Sequence, residues 1–226
     1  LDLKSDLMID NASNITVGIE NVDVFLPNKN KDILIKDCTI DLMKYQSLLI
    51  MGASGVGKST LLRTLAGLWP YAKGNVYLPK EEEFLFLPQR PYLPLGSLRQ
   101  AISYPVVEEV ISEKYSDEEI KEILIACKLE NLADKLDIVD DWSRILSLGE
   151  QQRIAFVRIL LYRPEFVFLD EATSALDEDL EGNLYDMLKI HLPNTKIISI
   201  AHRSSLIAKH QAILRLKEKG CWEIHE

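Results

Sequence analysis

Residues 52–59 read Gly52-Ala53-Ser54-Gly55-Val56-Gly57-Lys58-Ser59, directly after the short apolar run Ser47-Leu48-Leu49-Ile50-Met51. The apolar run is typical of a buried strand, and the stretch from Thr60 to Ala66 is typical of a helix. The glycines between them let the backbone curl tightly, so that successive N–H groups point at one anion. A strand, a glycine-rich turn and a helix in this order predict a phosphate-binding loop.

Two side chains of this loop carry the expected chemistry. Lys58 would place its ammonium group on the β- and γ-phosphates of a nucleotide, and Ser59 would offer its hydroxyl to Mg²⁺. The helix that begins at Thr60 would add the positive end of its dipole. The alternative is a chance match in an ordinary glycine-rich turn, and the strand before and the helix after argue against it.

Composition limits the class of protein. The chain has 226 residues, of which 47% are apolar, enough for one large domain or a core with a subdomain. The net charge of −9 argues against a nucleic-acid partner. Cys38, Cys127 and Cys221 match no zinc or redox spacing, so we expect thiols in a reducing compartment. No apolar run approaches the roughly 18 residues of a membrane-spanning helix.

The periodicity of the sequence changes along the chain. Residues 15–51 are predicted to be rich in strands, because Ile15, Val17 and Ile19 alternate with polar residues. From about Gly96 the pattern is helical, with a capping box at Ser116 and a second helix from Ser147 to about Tyr162. Residues 178–190 and 204–209 are also predicted to be helical. Further strands are predicted at 76–78, 84–87, 166–169, 196–200 and 212–216.

Apolar strands that alternate with helices predict an α/β fold with a mostly parallel sheet. An antiparallel β layer is expected near the N-terminus, and an inserted helical subdomain over roughly 95–160. Residues 1–226 are therefore interpreted as one nucleotide-binding domain.

Five further motifs follow the loop. A glutamine lies between prolines in Leu87-Pro88-Gln89-Arg90-Pro91, and an apolar strand ends in two acids at Phe166-Val167-Phe168-Leu169-Asp170-Glu171. Leu146-Ser147-Leu148-Gly149-Glu150-Gln151-Gln152-Arg153 precedes that strand, and Ser174-Ala175-Leu176-Asp177 and then His202 follow it. Over nearly its whole length the chain resembles the nucleotide-binding domain of an ABC transporter, with a RecA-like P-loop NTPase core.

The resemblance implies catalytic and metal-binding roles. Asp170 would hold Mg²⁺ through water, and Glu171 would be the general base that polarises the attacking water. Gln89 would touch both Mg²⁺ and that water, and His202 would contact the γ-phosphate. Taken alone, an acidic strand end, a glutamine between prolines or a single histidine is usually structural. Their order after the phosphate loop favours the functional interpretation.

The run from Leu146 to Arg153 resembles the ABC signature, in which Ser147, Gly149 and Glu150 would contact ATP. Ser147 can cap the helix, and Gly149 allows close approach of an anion. In the family, two domains pack head to tail and each signature closes over the partner's nucleotide. Asp177 resembles the loop that crosses this interface. The sequence departs from the usual signature at Leu148, where glycine is usual, and at Glu150, where glutamine is usual.

The adenine contact differs from the family pattern. Most members stack an aromatic ring on the base, and the corresponding position here is Leu26, with Phe25 beside it. Either Phe25 turns toward the base or Leu26 gives only an apolar contact. GTP is therefore expected to compete with ATP.

Two further runs narrow the resemblance to subfamily D, the peroxisomal acyl transporters and their bacterial relatives for cobalamin or peptides. They are Gly67-Leu68-Trp69-Pro70 and the continuous stretch from Leu87 to Arg99, followed by Tyr104-Pro105. In that group the domain is fused behind a membrane-spanning half. The start at Leu1 then suggests the C-terminal piece of a longer chain, soluble by itself and held at the cytosolic face of a bacterial inner or organellar membrane.

Three functions compete on sequence grounds. The first is a transport motor with ATP and Mg²⁺ as ligands, a second nucleotide-binding domain as partner and the stretch from Gln89 to Arg99 as docking surface for a membrane partner. The second is a soluble ABC-type ATPase, which usually carries two such domains or long coiled-coil insertions. The third is a small-molecule kinase, which would leave the signature and His202 unexplained. The sequence favours the first.

Overall fold

A computed structural model of the chain describes residues 7–10, 16–28, 32–80 and 83–226. The predicted alternation at Ile15 and part of the 15–51 prediction, residues 29–31, lie outside the described residues. Within them the chain forms twelve strands and seven α-helices. The strands are β1 (Leu7–Asp10), β2 (Gly18–Phe25), β3 (Ile33–Asp41), β4 (Ser47–Gly52), β5 (Ala72–Tyr77), β6 (Phe84–Leu87), β7 (Gly96–Ser97), β8 (Val139–Asp140), β9 (Phe166–Asp170), β10 (Lys196–Ile200), β11 (Ala212–Leu216) and β12 (Trp222–His225). The α-helices are α1 (Lys58–Leu65), α2 (Leu98–Ser103), α3 (Glu108–Lys114), α4 (Asp117–Ala126), α5 (Trp142–Ile145), α6 (Leu148–Tyr162) and α7 (Glu178–His191).

The chain divides into two compact units, and the first is built on two sheets. It comprises Leu1–Phe86, Glu165–Asp170 and Asn194–Glu226. A six-stranded sheet runs in the order β12-β11-β4-β10-β9-β6, and a four-stranded sheet in the order β1-β5-β2-β3. Strands β11, β4, β10 and β9 are parallel neighbours, whereas β2 pairs antiparallel with both β3 and β5. The predicted mostly parallel sheet and antiparallel layer are therefore both present.

The core of the first unit surrounds helix α1. Leu61, Leu62 and Leu65 are fully buried on one side of this helix, three and four positions apart as amphipathic packing requires. They join one cluster with side chains of β4 and β2, among them Leu48 and Val22. Burying this much apolar surface fixes α1 against the strand that precedes it. The loop between the strand and the helix is held at both ends as a result.

Strand β9 shows why its sequence is a continuous apolar run. All five of its residues are buried, since it lies between β10 and β6 inside the sheet. Phe168 also packs edge-on against Phe84, with ring centroids 5.9 Å apart. A parallel strand covered on both faces has no polar side to alternate with. The strand thus ends abruptly at the acidic residue Asp170.

The second unit contains α2 to α7 and the short antiparallel pair β7–β8. It comprises Leu87–Pro164 and Glu171–Pro193. Helix α6 is its centre, with nearly every residue from Gln151 to Leu161 buried. Phe156 of α6 meets Tyr185 of α7 edge to face, with ring centroids 6.2 Å apart. The predicted capping box at Ser116 and the predicted helix cap at Ser147 are confirmed, and Ser147 also forms a capping box with Glu150.

The segment Ser204–Lys209 is helical, as predicted, and has the geometry of a 3-10 helix. The last strand, β12, was not predicted, and it pairs antiparallel with β11 at the edge of the larger sheet. In the part of the chain that the structure describes, no helix is long and apolar enough to cross a membrane.

Candidate active site

The site in the first unit lies at one edge of the six-stranded sheet. Strands β4, β9 and β10 run parallel, and Ile200 pairs with Ile50 on one side and Asp170 on the other. Their carboxyl ends therefore meet at the same edge, where parallel sheets bind ligands. The loop 52–59 leaves β4 at this edge, and His202 follows β10 by two residues, with its side chain exposed.

The loop has the conformation that its glycines permit. Gly57, with φ of 105°, is the N-cap of α1, a left-handed conformation that a residue with a side chain rarely adopts. Helix α1 therefore begins at Lys58, within the last residues of the loop. Unpaired backbone N–H groups at a helix start and the helix dipole together favour an anion such as phosphate.

Lys58 is folded back into the loop. Its Nζ donates hydrogen bonds to the carbonyl oxygens of Gly52 and Ala53, at 3.0 and 2.9 Å. Only 6% of the residue is exposed, so its charge is screened little by water. The Lys58 ammonium group is therefore held against the backbone at the start of the loop.

Ser59 and Asp170 form the second polar pair of the site. The Ser59 hydroxyl donates to Asp170 Oδ1 at 2.6 Å, and Arg63 Nη2 donates to Asp170 Oδ2 at 3.2 Å. Asp170 is almost fully buried, with 4% exposed, and both of its oxygens are paired. A buried carboxylate is tolerated only when it is paired in this way. Arg63 was not among the predicted site residues, although it lies one helical turn from Ser59 on α1.

The donor set of this pair fits Mg²⁺. A serine hydroxyl and an aspartate carboxylate are the hard oxygen ligands that this ion prefers. Among the described residues no group of three or more His, Cys, Asp or Glu side chains could hold a metal. Mg²⁺ usually keeps several waters and takes oxygens from substrate phosphates, so that two protein ligands suffice. The Ser59–Asp170 pair therefore fits a magnesium ion that also binds a nucleotide.

The second unit holds the other predicted catalytic residues, Gln89 and Glu171. Gln89 Nε2 donates to Ser174 Oγ at 3.3 Å, which links the predicted metal-sensing glutamine to the segment after Glu171. Glu171 has φ of 52°, in the left-handed region. A non-glycine residue in this conformation is strained and is often found at functional sites. It lies one peptide bond from Asp170, where the chain passes from one unit to the other.

The signature run forms the start of α6. Ser147 is the N-cap, and its backbone N–H and hydroxyl donate to Glu150 Oε2 at 2.9 and 2.7 Å. Burial alone would raise the pKa of Glu150, but hydrogen bonds from Ser147 and Asn131 and the charge of Arg153 outweigh it and lower that pKa. The glutamate that replaces the usual glutamine is therefore ionised and reinforces the cap.

The remaining predicted ligand-contacting residues have structural roles of their own. Asp177 is the N-cap of α7, and its Oδ1 accepts from the backbone N–H of Leu180 at 2.8 Å. Phe25, at the end of β2, is half-buried, and its carbonyl accepts from Trp69 Nε1 at 3.2 Å. Leu26 beside it is 38% exposed. Their contact with a nucleotide base stays a prediction.

The structure thus sorts the predicted residues into two sets. The loop 52–59, Thr60, Asp170 and His202 lie at one sheet edge in the first unit. Gln89, Ser147, Gly149, Glu150, Glu171 and Asp177 belong to the second unit. The sequence interpretation missed one further polar residue of that unit, the fully buried Gln152. Its position on α6, a helix with many apolar residues, could have indicated that Gln152 is buried. A buried polar side chain requires hydrogen-bond partners.

Comparisons with known proteins agree with this geometry. A model of the family described as ABC transporter matches residues 35–174. An uncharacterized ABC transporter ATP-binding protein of Haemophilus influenzae is 49% identical over 84% of this chain and 31% of its own length. ATP-binding cassette sub-family D member 1 of Drosophila melanogaster is 36% identical over 96% of this chain and 30% of its own length. The predicted resemblance to subfamily D is confirmed.

A solved structure, titled as a bacterial Atm1-family ABC exporter with ATP bound, superposes with a TM-score of 0.74. It is 24% identical and covers 92% of this chain and 38% of that one, a likeness that concerns the fold. It confirms the predicted P-loop NTPase fold. The chain spans about three tenths of the length of the curated relatives that it matches. Since the family model covers more than half of its residues, the chain belongs to the ABC transporter family as an ATP-binding domain.

Proposed function

We propose that this domain binds ATP with Mg²⁺, pairs head to tail with a second nucleotide-binding domain and hydrolyses ATP to drive a membrane transporter. The observation that carries the proposal is the joint placement of Lys58 and the Ser59–Asp170 pair at the sheet edge. One cation for phosphates and one oxygen pair for Mg²⁺ are the two electrostatic parts that phosphoryl transfer needs.

Each side chain has a defined task in this proposal. The N–H groups of residues 52–59 and the Lys58 ammonium hold the phosphates, while Ser59 and Asp170 hold Mg²⁺, Asp170 through water, with Gln89 as a further ligand. The bound ion would offset the charge that develops on the phosphate oxygens. Glu171 orients and polarises the attacking water, and His202 donates to the γ-phosphate. Catalysis then depends mainly on positioning and on charge stabilisation.

The signature of one copy serves the nucleotide of the other. Ser147 and Leu148 at the start of α6 are exposed, so that this end of the helix would be accessible to the nucleotide phosphates of the partner domain. Asp177 would lie at the same interface. Closure of the pair over two ATP molecules and reopening after hydrolysis would be the power stroke.

We further propose that the pair acts at the cytosolic face of a membrane, beneath a membrane domain fused upstream as in subfamily D. The segment from Gln89 to Arg99 suits docking of a partner helix, because Tyr92 and Leu95 are 61% and 75% exposed. The backbone of Tyr92 is held in place, because its carbonyl oxygen accepts from Arg158 Nη2 at 2.8 Å.

At the position that would contact the nucleotide base, Leu26 offers no aromatic ring for stacking. Weak discrimination between ATP and GTP is therefore expected.

Sedimentation of Glu171→Gln with ATP and Mg²⁺ tests the proposal. The glutamine keeps the shape of the side chain but cannot serve as a base, so the variant should accumulate as an ATP-bound dimer. The double variant Glu171→Gln, Ser147→Arg should stay monomeric, because the bulky arginine side chain would occupy the place of the phosphates of the partner's nucleotide. Lys58→Ala should bind no ATP and serves as the negative control. If Glu171→Gln stays monomeric under saturating ATP and Mg²⁺, head-to-tail pairing is overturned.

A further inference from the structure

The side chain of Gln152, on the signature helix α6, makes hydrogen bonds in three directions although it is completely buried. Its Nε2 donates to the carbonyl oxygen of Gln89 at 2.8 Å and to Ser174 Oγ at 3.1 Å. The carbonyl oxygen of Glu171 lies 3.5 Å from the same nitrogen. Its Oε1 accepts from the backbone N–H of Ala175 at 2.9 Å. One amide therefore joins α6 to two loops that are far apart in sequence.

These contacts reach the backbone of two residues to which a role in hydrolysis is assigned above. Gln89 is the proposed metal- and water-sensing residue, and Glu171 is the proposed base. Gln89 Nε2 also donates to Ser174 Oγ at 3.3 Å, so Gln152, Gln89 and Ser174 form a closed ring of hydrogen bonds. A closed ring of this kind fixes its members more strongly than separate pairs do. The positions of the Gln89 loop and of the 171–175 turn are thus mutually dependent.

The 171–175 turn also lies close to Gly149, at the start of α6. A Cβ placed on Gly149 would lie 3.3 Å from the carbonyl oxygen of Ala175, which is tighter than ordinary contact. Ala175 thus donates its N–H to Gln152 and presents its carbonyl to Gly149, three residues earlier on α6. Displacement of Ala175 by a partner domain would therefore pull on the Gln152 amide and on the loops that it holds.

We propose that Gln152 is a positioning residue that transmits the position of the 174–177 segment to Gln89 and Glu171, an inference that rests on the function proposed above. When the segment is seated, Gln152 holds the Gln89 carbonyl and the Glu171 carbonyl in fixed relation. When the segment moves, the Ala175 bond is lost and both loops loosen. ATP hydrolysis then depends on the position of the 174–177 segment, which would lie at the interface between two copies.

The chain offers a matched control in the neighbouring residue. Gln151 is also buried, and its Nε2 also donates to two carbonyl oxygens, those of Ser143 and Leu146, at 2.9 and 2.8 Å. Gln151→Leu and Gln152→Leu remove the same group from the same helix, so both should lower the thermal midpoint. Only Gln152→Leu breaks the ring around Gln89 and Ser174.

Hydrogen exchange measures the ring without any need for activity. In Gln152→Leu the Ala175 amide loses its acceptor, and we expect a peptide covering 171–177 to exchange about tenfold faster, with Gln151→Leu within about threefold of the parent. Equal exchange of that peptide in the parent and in Gln152→Leu would overturn the proposal.

Steady-state kinetics supply the functional half of the test. For Gln152→Leu we expect kcat to fall about tenfold or more, since small misplacements of catalytic groups cost this much. KM for ATP should stay within about threefold, because Lys58 keeps its contacts in the first unit. A kcat within threefold of an active parent overturns the role of Gln152 and leaves the proposed function intact. A parent that hydrolyses no ATP, or is no more active than Lys58→Ala, overturns the proposed function instead.

Discussion

The hydroxyl of Ser59 lies 2.6 Å from the carboxylate of Asp170, although 111 positions separate them in sequence. Ser59 is the second residue of α1, and Asp170 is the last residue of β9. Because β4 and β9 flank the same strand, β10, the helix that follows β4 starts beside the end of β9. The order of the strands in the sheet therefore brings the hydroxyl of Ser59 and the carboxylate of Asp170 together.

Asp170→Asn should weaken magnesium binding more than it weakens folding. The amide keeps the volume of the carboxylate but removes the charge that attracts Mg²⁺ and pairs with Arg63. We expect the half-saturating Mg²⁺ concentration for ATP hydrolysis to rise about tenfold or more, with a lower maximal rate. The measurement is a magnesium titration of ATPase activity at fixed ATP.

Asp134→Asn is a suitable control for that titration, since Asp134 is exposed on the second unit and pairs only loosely with Lys121, at 3.5 Å. It should leave the magnesium dependence unchanged. If Asp170→Asn also followed the parent curve, Asp170 would have no part in holding the ion.

Arg158 supports the segment that we propose as docking surface. Its guanidinium donates to the carbonyl oxygen of Ala101 through Nε and Nη2, and it lies 5.2 Å from the centre of the Tyr104 ring. Burial lowers the pKa of Arg158 to about 10, so the group still carries its charge at neutral pH. A buried cation held by carbonyl oxygens is costly to replace, because those oxygens lose their partners.

We expect Arg158→Met to lower the free energy of unfolding by about 2–4 kcal/mol, measured by urea denaturation. Arg163→Met, five residues further along the chain and just past the end of α6, is the matched control. The Arg163 side chain is exposed and donates to the carbonyl oxygen of His191 at 3.1 Å, so its replacement should cost less than about 1 kcal/mol. Equal losses of unfolding free energy in both variants would show that the buried contacts of Arg158 contribute no more to stability than the exposed contact of Arg163.

The sequence predicted the parts of the fold that local chemistry determines. The loop 52–59, the capping box at Ser116 and the helix cap at Ser147 depend on residues a few positions apart, and all three were predicted. Strands β4 and β9 were also predicted, since a strand buried on both faces needs an uninterrupted apolar run.

Features that depend on distant partners could not be predicted in this way. Strand β1 carries no clear alternation and exists through parallel pairing with β5, where Ile9 lies opposite Val76. The pairing of Arg63 with Asp170 and the ring around Gln152 likewise follow from strand order and helix packing. The residue types were visible in the sequence, but no local signal states which distant group each one contacts.

The three cysteines should differ sharply in reactivity. Burial raises the pKa of Cys38 and of Cys127 to about 12, and the charge of Asp37 adds to this for Cys38. The thiolate is the reactive form, so both should stay unreactive at pH 8 while the chain is folded. Cys221 is exposed.

A colorimetric disulfide reagent should therefore titrate about one thiol per folded chain at pH 8 and all three after denaturation. Cys221→Ser should remove the fast phase entirely. Rapid reaction of more than one thiol in the folded chain would mean that the region around Cys38 or Cys127 opens readily.

Glu150→Gln restores the residue that is usual in the signature, and we expect it to cost stability. Glu150 accepts two hydrogen bonds from Ser147 and one from Asn131, and its charge faces the positive end of α6. These interactions lower its folded-state pKa below the ordinary 4.5. A carboxylate with a lowered pKa stabilises the fold above its unfolded pKa, and this stabilisation is lost as the pH falls through the folded value.

At pH 7 the variant should therefore unfold with about 0.5–1 kcal/mol less free energy than the parent, because a neutral amide caps the helix less well. The difference should be constant from pH 8 to 6, shrink as the pH falls below 4.5, the pKa in the unfolded chain, and be lost once the pH falls below the lowered pKa of Glu150 in the folded parent. Glu113→Gln, at an exposed position of α3, controls for the loss of one negative charge from the chain. Urea denaturation of the three proteins at several pH values measures the effect. A difference that persists unchanged at low pH would assign the stabilisation to the shape of the glutamate side chain, and its charge would then contribute nothing to the cap of α6.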